Sequence, residues 1–81
     1  MVRQVIQLYT EAIKMTPKIF AKRLKDAREE YGYSQKQLGL RVGLSDKSIS
    51  IYEKGSVYPP ISNLIRISKE LKKDVEYFIK D

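Results

Sequence analysis

Apolar residues recur at three- and four-residue intervals through most of this chain, the spacing of one face of an α-helix rather than the alternation of a strand. Over residues 2–15, Val2, Val5, Ile6, Tyr9, Ala12 and Ile13 share such a face. Leu8 widens it, and Arg3, Gln4, Gln7, Glu11 and Lys14 lie opposite. Valine, isoleucine and tyrosine also favour strands, so a strand remains the second reading there. Thr16-Pro17 is a sharper signal: a capping threonine, then proline at the first helical position. The helix it opens runs through Tyr31, buries Phe20, Leu24 and Ala27, and stops at Gly32. Farther along, Ser56 to Pro60 forms a loop, and Pro59-Pro60 leads into a helix that buries Ile61, Leu64, Ile65, Ile67 and Leu71. Asp74 then caps a short last helix carrying Val75, Phe78 and Ile79.

Between these segments, Ser34 to Gly55 reads SQKQLGLRVGLSDKSISIYEKG. Ser34 and Gln37 have the spacing of a capping box. Ser45 can cap a second helix, with Asp46 in its first turn where the helix dipole favours an anion. Leu38, Val42, Leu44, Ile49 and Tyr52 are spaced to face a common core, leaving Gln35, Lys36, Arg41, Asp46, Lys47, Ser50 and Lys54 outside. Two capped helices joined at Val42-Gly43-Leu44 describe a helix-turn-helix, whose second helix can lie in a DNA major groove.

At these residues the chain resembles the lambda-repressor-like, or XRE-type, helix-turn-helix family. The family's elements stand here as Ser34-Gln35-x-x-Leu38-Gly39, Val42-Gly43-Leu44-Ser45, Ile49-Ser50 and Glu53-Lys54-Gly55. The resemblance continues through Arg28 and Tyr31-Gly32-Tyr33 upstream, and Pro59, Leu64, Leu71 and Phe78-Ile79 downstream, so it covers residues 19–79. It implies an all-α fold, a compact five-helix domain over residues 16–81; the periodicity of residues 2–15, outside the resemblance, adds an amphipathic extension over residues 1–15 expected to form an extra N-terminal helix. Gly39 departs from the family's usual alanine where the two motif helices pack closest. Glycine fits there, at a helix-propensity cost of about 1 kcal/mol.

Composition narrows the chemistry. Eighty-one residues make one domain with a small core. Cysteine and histidine are both absent, which removes disulfides, thiol nucleophiles, the commonest general base and the commonest metal ligands. The scattered carboxylates, lysines, serines and tyrosines form no recognisable catalytic set, so no enzyme, cofactor or metal is expected. No apolar run approaches the roughly 20 residues that span a bilayer, no signal-peptide pattern opens the chain, and the extension has no strongly cationic face. A soluble cytoplasmic protein without a membrane partner is expected. The net charge of +6 suits a polyanion partner. Its cations are spread along the chain: seven against four anions in residues 1–33, four against two in 34–58, and five against four in 59–81. Any basic face must therefore be assembled by folding.

The resemblance assigns roles residue by residue. Gln35 takes the position of a glutamine set against a DNA phosphate. Base reading falls to the outer face of the second motif helix, residues 45–54: Lys47 can donate to guanine, Ser50 can bond either kind of edge group, and Ile51 can pack on a thymine methyl. Asp46 can accept from a cytosine amino group or simply stabilise the helix start, and the second role carries less repulsion from nearby phosphates. Lys36, Ser45, Ser48, Lys54 and Ser56 are further phosphate candidates, with Arg41 as a nearby cation. Tyr58 either bonds a phosphate through its hydroxyl or packs against the prolines. Arg28 and Glu53 match the family's structural ion pair.

The leading function is therefore a sequence-specific double-stranded DNA-binding regulator, a dimeric repressor reading a palindromic operator. The alternative is an antitoxin-like interaction module whose main role is to hold a protein partner through residues 1–15. Only Lys80 and Asp81 follow Phe78-Ile79. That leaves two expectations: a minimal regulator controlled by its own concentration, or a fragment of a longer chain.

Overall fold

Thr16 and Pro17 open the first helix as their chemistry requires. In the computed structural model, which describes residues 16–80, helix α1 spans Pro17–Glu30. The Thr16 hydroxyl accepts from the Ile19 N–H at 3.3 Å, and proline occupies the first turn, where its missing donor costs nothing. Gly32 ends the helix with φ 74°, a conformation other residues adopt at a cost. Helices α2 (Gln35–Val42) and α3 (Asp46–Glu53) form the helix-turn-helix. Helices α4 (Ile61–Glu70) and α5 (Val75–Ile79) complete the described residues. The domain is all-α, as expected. The helix expected over residues 2–15, and Asp81, lie outside the described residues.

One apolar cluster joins all five helices: Phe20, Leu24 and Ala27 from α1, Leu38 and Val42 from α2, Ile49 and Tyr52 from α3, Leu64 and Ile67 from α4 with Leu71 at its end, and Phe78 from α5. Phe20 is central to it. Its ring meets Tyr52 edge-on at 6.0 Å and Phe78 at 6.1 Å, tying α1 to α3 and α5. Leu44, Val75 and Ile79 are half-buried against its edge.

Two expectations about α4 and α5 need correction. Ile61 and Ile65 do not enter the core; they are 66% and 40% exposed. The stripe that faces inward is Leu64, Ile67, Ser68 and Leu71, while Ile61 and Ile65, four residues apart, form a neighbouring stripe turned to solvent. Ser68 is buried because its hydroxyl donates to the Lys73 carbonyl and its own carbonyl accepts from the Lys73 N–H at 3.1 Å, closing the α4–α5 turn. Asp74 occupies the capping position of α5 in extended conformation, but its side chain makes no capping hydrogen bond.

Candidate nucleic-acid interface

The two motif helices start from polar caps that hold their first turns outward. At α2, the Gln37 N–H donates to the Ser34 hydroxyl at 3.0 Å and the Ser34 N–H donates to the Gln37 side chain at 2.8 Å, completing the expected capping box. At α3, the Ser45 hydroxyl accepts from the Ser48 N–H at 3.1 Å, and the two hydroxyls lie 3.1 Å apart. The Asp46 carboxylate accepts from the Lys47 N–H at 2.9 Å. Asp46 is thus engaged by the start of its own helix, which matches the stabilising role of its two readings.

The turn between the helices is unusually tight. Gly43 adopts φ 73°, and the Leu44 N–H donates to the Gly39 carbonyl at 2.7 Å. A Cβ placed on Gly39 would lie 2.6 Å from the Leu44 carbonyl oxygen, closer than real Cβ contacts come. The glycine at this position is therefore required by the backbone as it stands.

What fixes α3 against α2 is a buried charge network. The Arg28 guanidinium donates from Nε and Nη2 to the two Glu53 carboxylate oxygens at 2.7 and 2.9 Å, and from Nη1 to the Tyr33 carbonyl at 2.7 Å. Both side chains are about nine-tenths buried, at 11% and 6% exposure. The hydrogen bond to Glu53 raises the arginine's pKa against the opposing effect of burial, so the guanidinium stays charged. Gln35 joins the network, its amide donating to Glu53 Oε1 at 3.3 Å. The expected ion pair is present, and it brings the start of α2 beside the end of α3.

A second set of contacts was not legible in the sequence. The Asn63 amide donates to the Tyr52 hydroxyl at 3.1 Å. Arg66 donates to the Asn63 side chain at 3.0 Å and to the Val42 carbonyl at 3.3 Å, so α4 braces both motif helices. The Tyr33 hydroxyl donates to Glu70 at 2.9 Å. Only the Asn63–Arg66 spacing of three residues hints at any of this beforehand.

With the inner faces held, Lys36, Ser45, Asp46, Lys47, Ile51, Lys54, Ser56 and Tyr58 are exposed, and Gln35, Ser48 and Ser50 are half-buried. Tyr58 is 43% exposed, and partial burial raises its pKa, so its hydroxyl remains a donor at neutral pH. Arg41 stands apart from this group. It lies in the last turn of α2, over the Tyr33 ring at 5.8 Å, beside a concavity of about 410 Å³ shared with Arg66 and Lys69. Lys18 is a cation the sequence reading missed: its Cα lies 3.5 Å from where a Cβ of Gly55 would sit, placing it beside the loop after α3. No local pattern announces a contact between residues so far apart in sequence.

Known proteins sharing this fold include transcriptional regulators and, at 24% identity over 35% of its length, a hydroxypropylphosphonic acid epoxidase from S. wedmorenis with TM-score 0.74. The helix-turn-helix family model matches residues 24–78. The chain is 40% identical over 52 residues to the HTH-type transcriptional regulatory protein PF1851 of Pyrococcus furiosus, covering 64% of this chain and 16% of that protein. It is 32% identical over 54 residues to the HTH-type transcriptional regulator YgzD of Bacillus subtilis, covering 67% of this chain and 82% of YgzD. Among solved structures, it is similar to the P22 c2 repressor in complex with synthetic operator 9T, with TM-score 0.72 and 31% identity, covering 75% of this chain and 92% of that one. The chain thus spans about a sixth of the length of its first curated relatives and most of the length of YgzD and of the P22 c2 repressor chain.

Proposed function

The chain belongs to the helix-turn-helix family, in its lambda-repressor-like (XRE-type) branch, and on that premise we propose that it is a sequence-specific double-stranded DNA-binding regulator of transcription, acting as a dimeric repressor on a palindromic operator. One observation carries the reading. Helix α3 is anchored through Ile49, Tyr52 and Glu53, while Lys47 and Ile51 on its other side are exposed and Ser50 is half-buried. A helix held so rigidly from behind can present a fixed set of side chains to base edges.

In this reading Lys47, Ser50 and Ile51 meet bases, with Asp46 contributing mainly through its own helix start. Gln35 retains a second amide hydrogen to donate to a phosphate after bonding Glu53. Lys36, Ser45, Ser48, Lys54, Ser56 and Tyr58 supply further backbone contacts, and Lys18 joins them beside Gly55. Phosphate contacts set affinity and register, while the three α3 side chains set sequence.

Selection of bound sequences from a random duplex pool at near-physiological salt tests the proposal. The expected result is a palindrome whose half-sites lie about one helical turn apart. Lys47→Ala should then change which bases are preferred. Lys54→Ala should weaken all sequences alike and reduce the slope of log K against log salt by about 0.9. Salt-sensitive binding without any enriched sequence would refute the base-reading role of α3.

A further inference from the structure

We propose that the concavity between α2 and α4, walled by Arg41, Arg66 and Lys69, binds the phosphate group of a small phosphorylated molecule. The site is separate from the reading face of α3 and does not depend on the regulator reading. Its volume is about 410 Å³, and Val42, Gly43 and Glu70 complete its lining. Its two guanidinium groups are held from behind. Arg41 Cζ lies 5.8 Å from the centre of the Tyr33 ring, and the hydroxyl of that ring donates to Glu70 at 2.9 Å. Arg66 is oriented by its bonds to the Val42 carbonyl and the Asn63 side chain, at 3.3 and 3.0 Å, and its remaining N–H groups are free to donate.

What the cluster lacks is a counter-charge. Among the described residues the ion pairs are Lys22–Asp26, Arg28–Glu53, Lys73–Glu30 and Lys80–Glu76, and none engages Arg41, Arg66 or Lys69. Glu70 is the one carboxylate in the lining, and its partner is the Tyr33 hydroxyl rather than a cation. The lining therefore sets three cations against one carboxylate, a net charge of +2. Arg41 and Lys69 stand at helix ends whose dipoles favour cations, but a partial charge of about −0.5 at each end does not neutralise them. A phosphate monoester carries about −1.5 to −2 at neutral pH and offers three acceptor oxygens to such donors. A carboxylate, or a phosphate inside a DNA strand, carries about one negative charge and leaves about half of the excess uncompensated. A larger concavity between α1 and α5 shows the contrast. There Lys73 and Lys80 are already paired with Glu30 and Glu76, and Arg23 lies over the Tyr77 ring at 5.1 Å. Because Gly43 is in the wall of the proposed site, an occupant places its charge beside the turn that sets α3 against α2.

Amide chemical shifts of the isotope-labelled full chain, titrated with inorganic phosphate and with glycerol 3-phosphate at an ionic strength fixed by sodium chloride, test the site. Both anions should saturate in the millimolar range, with the largest shifts at Gly43 and at the end of α4. Arg41→Gln and Lys69→Gln should each weaken both at least about fivefold, as expected for the loss of a charge-assisted hydrogen bond. Both side chains are exposed, so both variants should melt as the wild type does. Lys25→Gln removes an exposed charge from α1 instead and should leave both anions bound as before. Shifts that grow without saturating, saturation by inorganic phosphate alone, or losses no greater than that of Lys25→Gln overturn the proposal. Affinity for duplex DNA at the same salt separates this site from the DNA-binding surface. Lys69→Gln and Lys25→Gln should bind duplex equally, whereas a selective loss by Lys69→Gln would make the concavity part of the duplex contact and overturn the proposal. Saturable phosphate binding by a chain that binds no duplex would uphold the site and sink the regulator reading alone.

Discussion

Glu53 receives donors from two other helices, and that makes it the most consequential single residue of the motif. Arg28 from α1 and Gln35 from α2 both end on its carboxylate. Glu53→Ala leaves the guanidinium buried without its counter-charge, and the expected loss is about 3–5 kcal/mol. Gln35→Ala removes one long hydrogen bond and should cost about 0.5–1.5 kcal/mol. The Lys22–Asp26 pair, exposed on α1, should matter by less than about 0.5 kcal/mol when Lys22 is replaced by alanine. Denaturant midpoints of the three variants check this order, and a Glu53→Ala midpoint equal to wild type would contradict the structural role of the pair. Tyr33 yields a pH prediction. Its hydrogen bond to Glu70, followed by burial, raises its pKa above the ordinary tyrosine value near 10. A raised pKa means the unfolded chain loses its proton first, so the stabilisation is complete below about pH 10 and fades as pH climbs through the folded value. The stability difference between wild type and Tyr33→Phe should therefore shrink above pH 10; a difference that grows there would reverse the sign.

At the scale of elements, the packing of α3 on α2 depends on Gly39. Alanine would add about 1 kcal/mol of helix propensity, yet its Cβ would lie 2.6 Å from the Leu44 carbonyl oxygen and 3.1 Å from Ser45 backbone carbon. Those atoms belong to the turn itself, so α3 must shift for the methyl to fit. Overpacking of this kind costs about 1–3 kcal/mol, and Gly39→Ala should be destabilised on balance. DNA affinity should fall by more than the lost stability explains, because the shift moves α3 relative to the start of α2. A stabilised Gly39→Ala would mean the turn relaxes freely. The sequence announced this glycine as a departure and gave only its propensity cost; the close approach is a tertiary fact. The same division runs through the fold. Caps at Thr16, Ser34 and Ser45 were legible because each donor and acceptor lies three residues apart. The Arg28–Glu53 pair, 25 residues apart, was legible only through family resemblance. Ile61 and Ile65 were misplaced because helical spacing cannot say which of two adjacent apolar stripes faces the core. Asp74 had the right type for a cap and lacked the geometry.

For the whole molecule, stability and DNA binding should be measurable against each other. Eighty-one residues at typical values imply roughly 4–12 kcal/mol of total stability, so one core truncation can exhaust it. Phe20 is the place to cut, because its ring contacts Tyr52 on α3 and Phe78 on α5 from a position on α1. Phe20→Ala should cost about 3–5 kcal/mol and loosen all three helices together, since no second core exists among the described residues to hold any of them. An operator that binds only the folded chain adds back RT ln(1 + [L]/Kd), about 2.7 kcal/mol at a hundredfold excess over Kd. The truncated chain should therefore regain most, though not all, of the lost stability when the selected duplex is added, and its melting temperature should rise with duplex concentration. Lys47→Ala should behave in the opposite way, folding as the wild type does while gaining less from the same duplex, because Lys47 is exposed and supports nothing behind it. Melting curves of both variants with and without duplex separate the two effects. If Lys47→Ala were stabilised by DNA as strongly as wild type, base contact would have to come from Ser50 and Ile51 alone, and the reading face would be narrower than proposed.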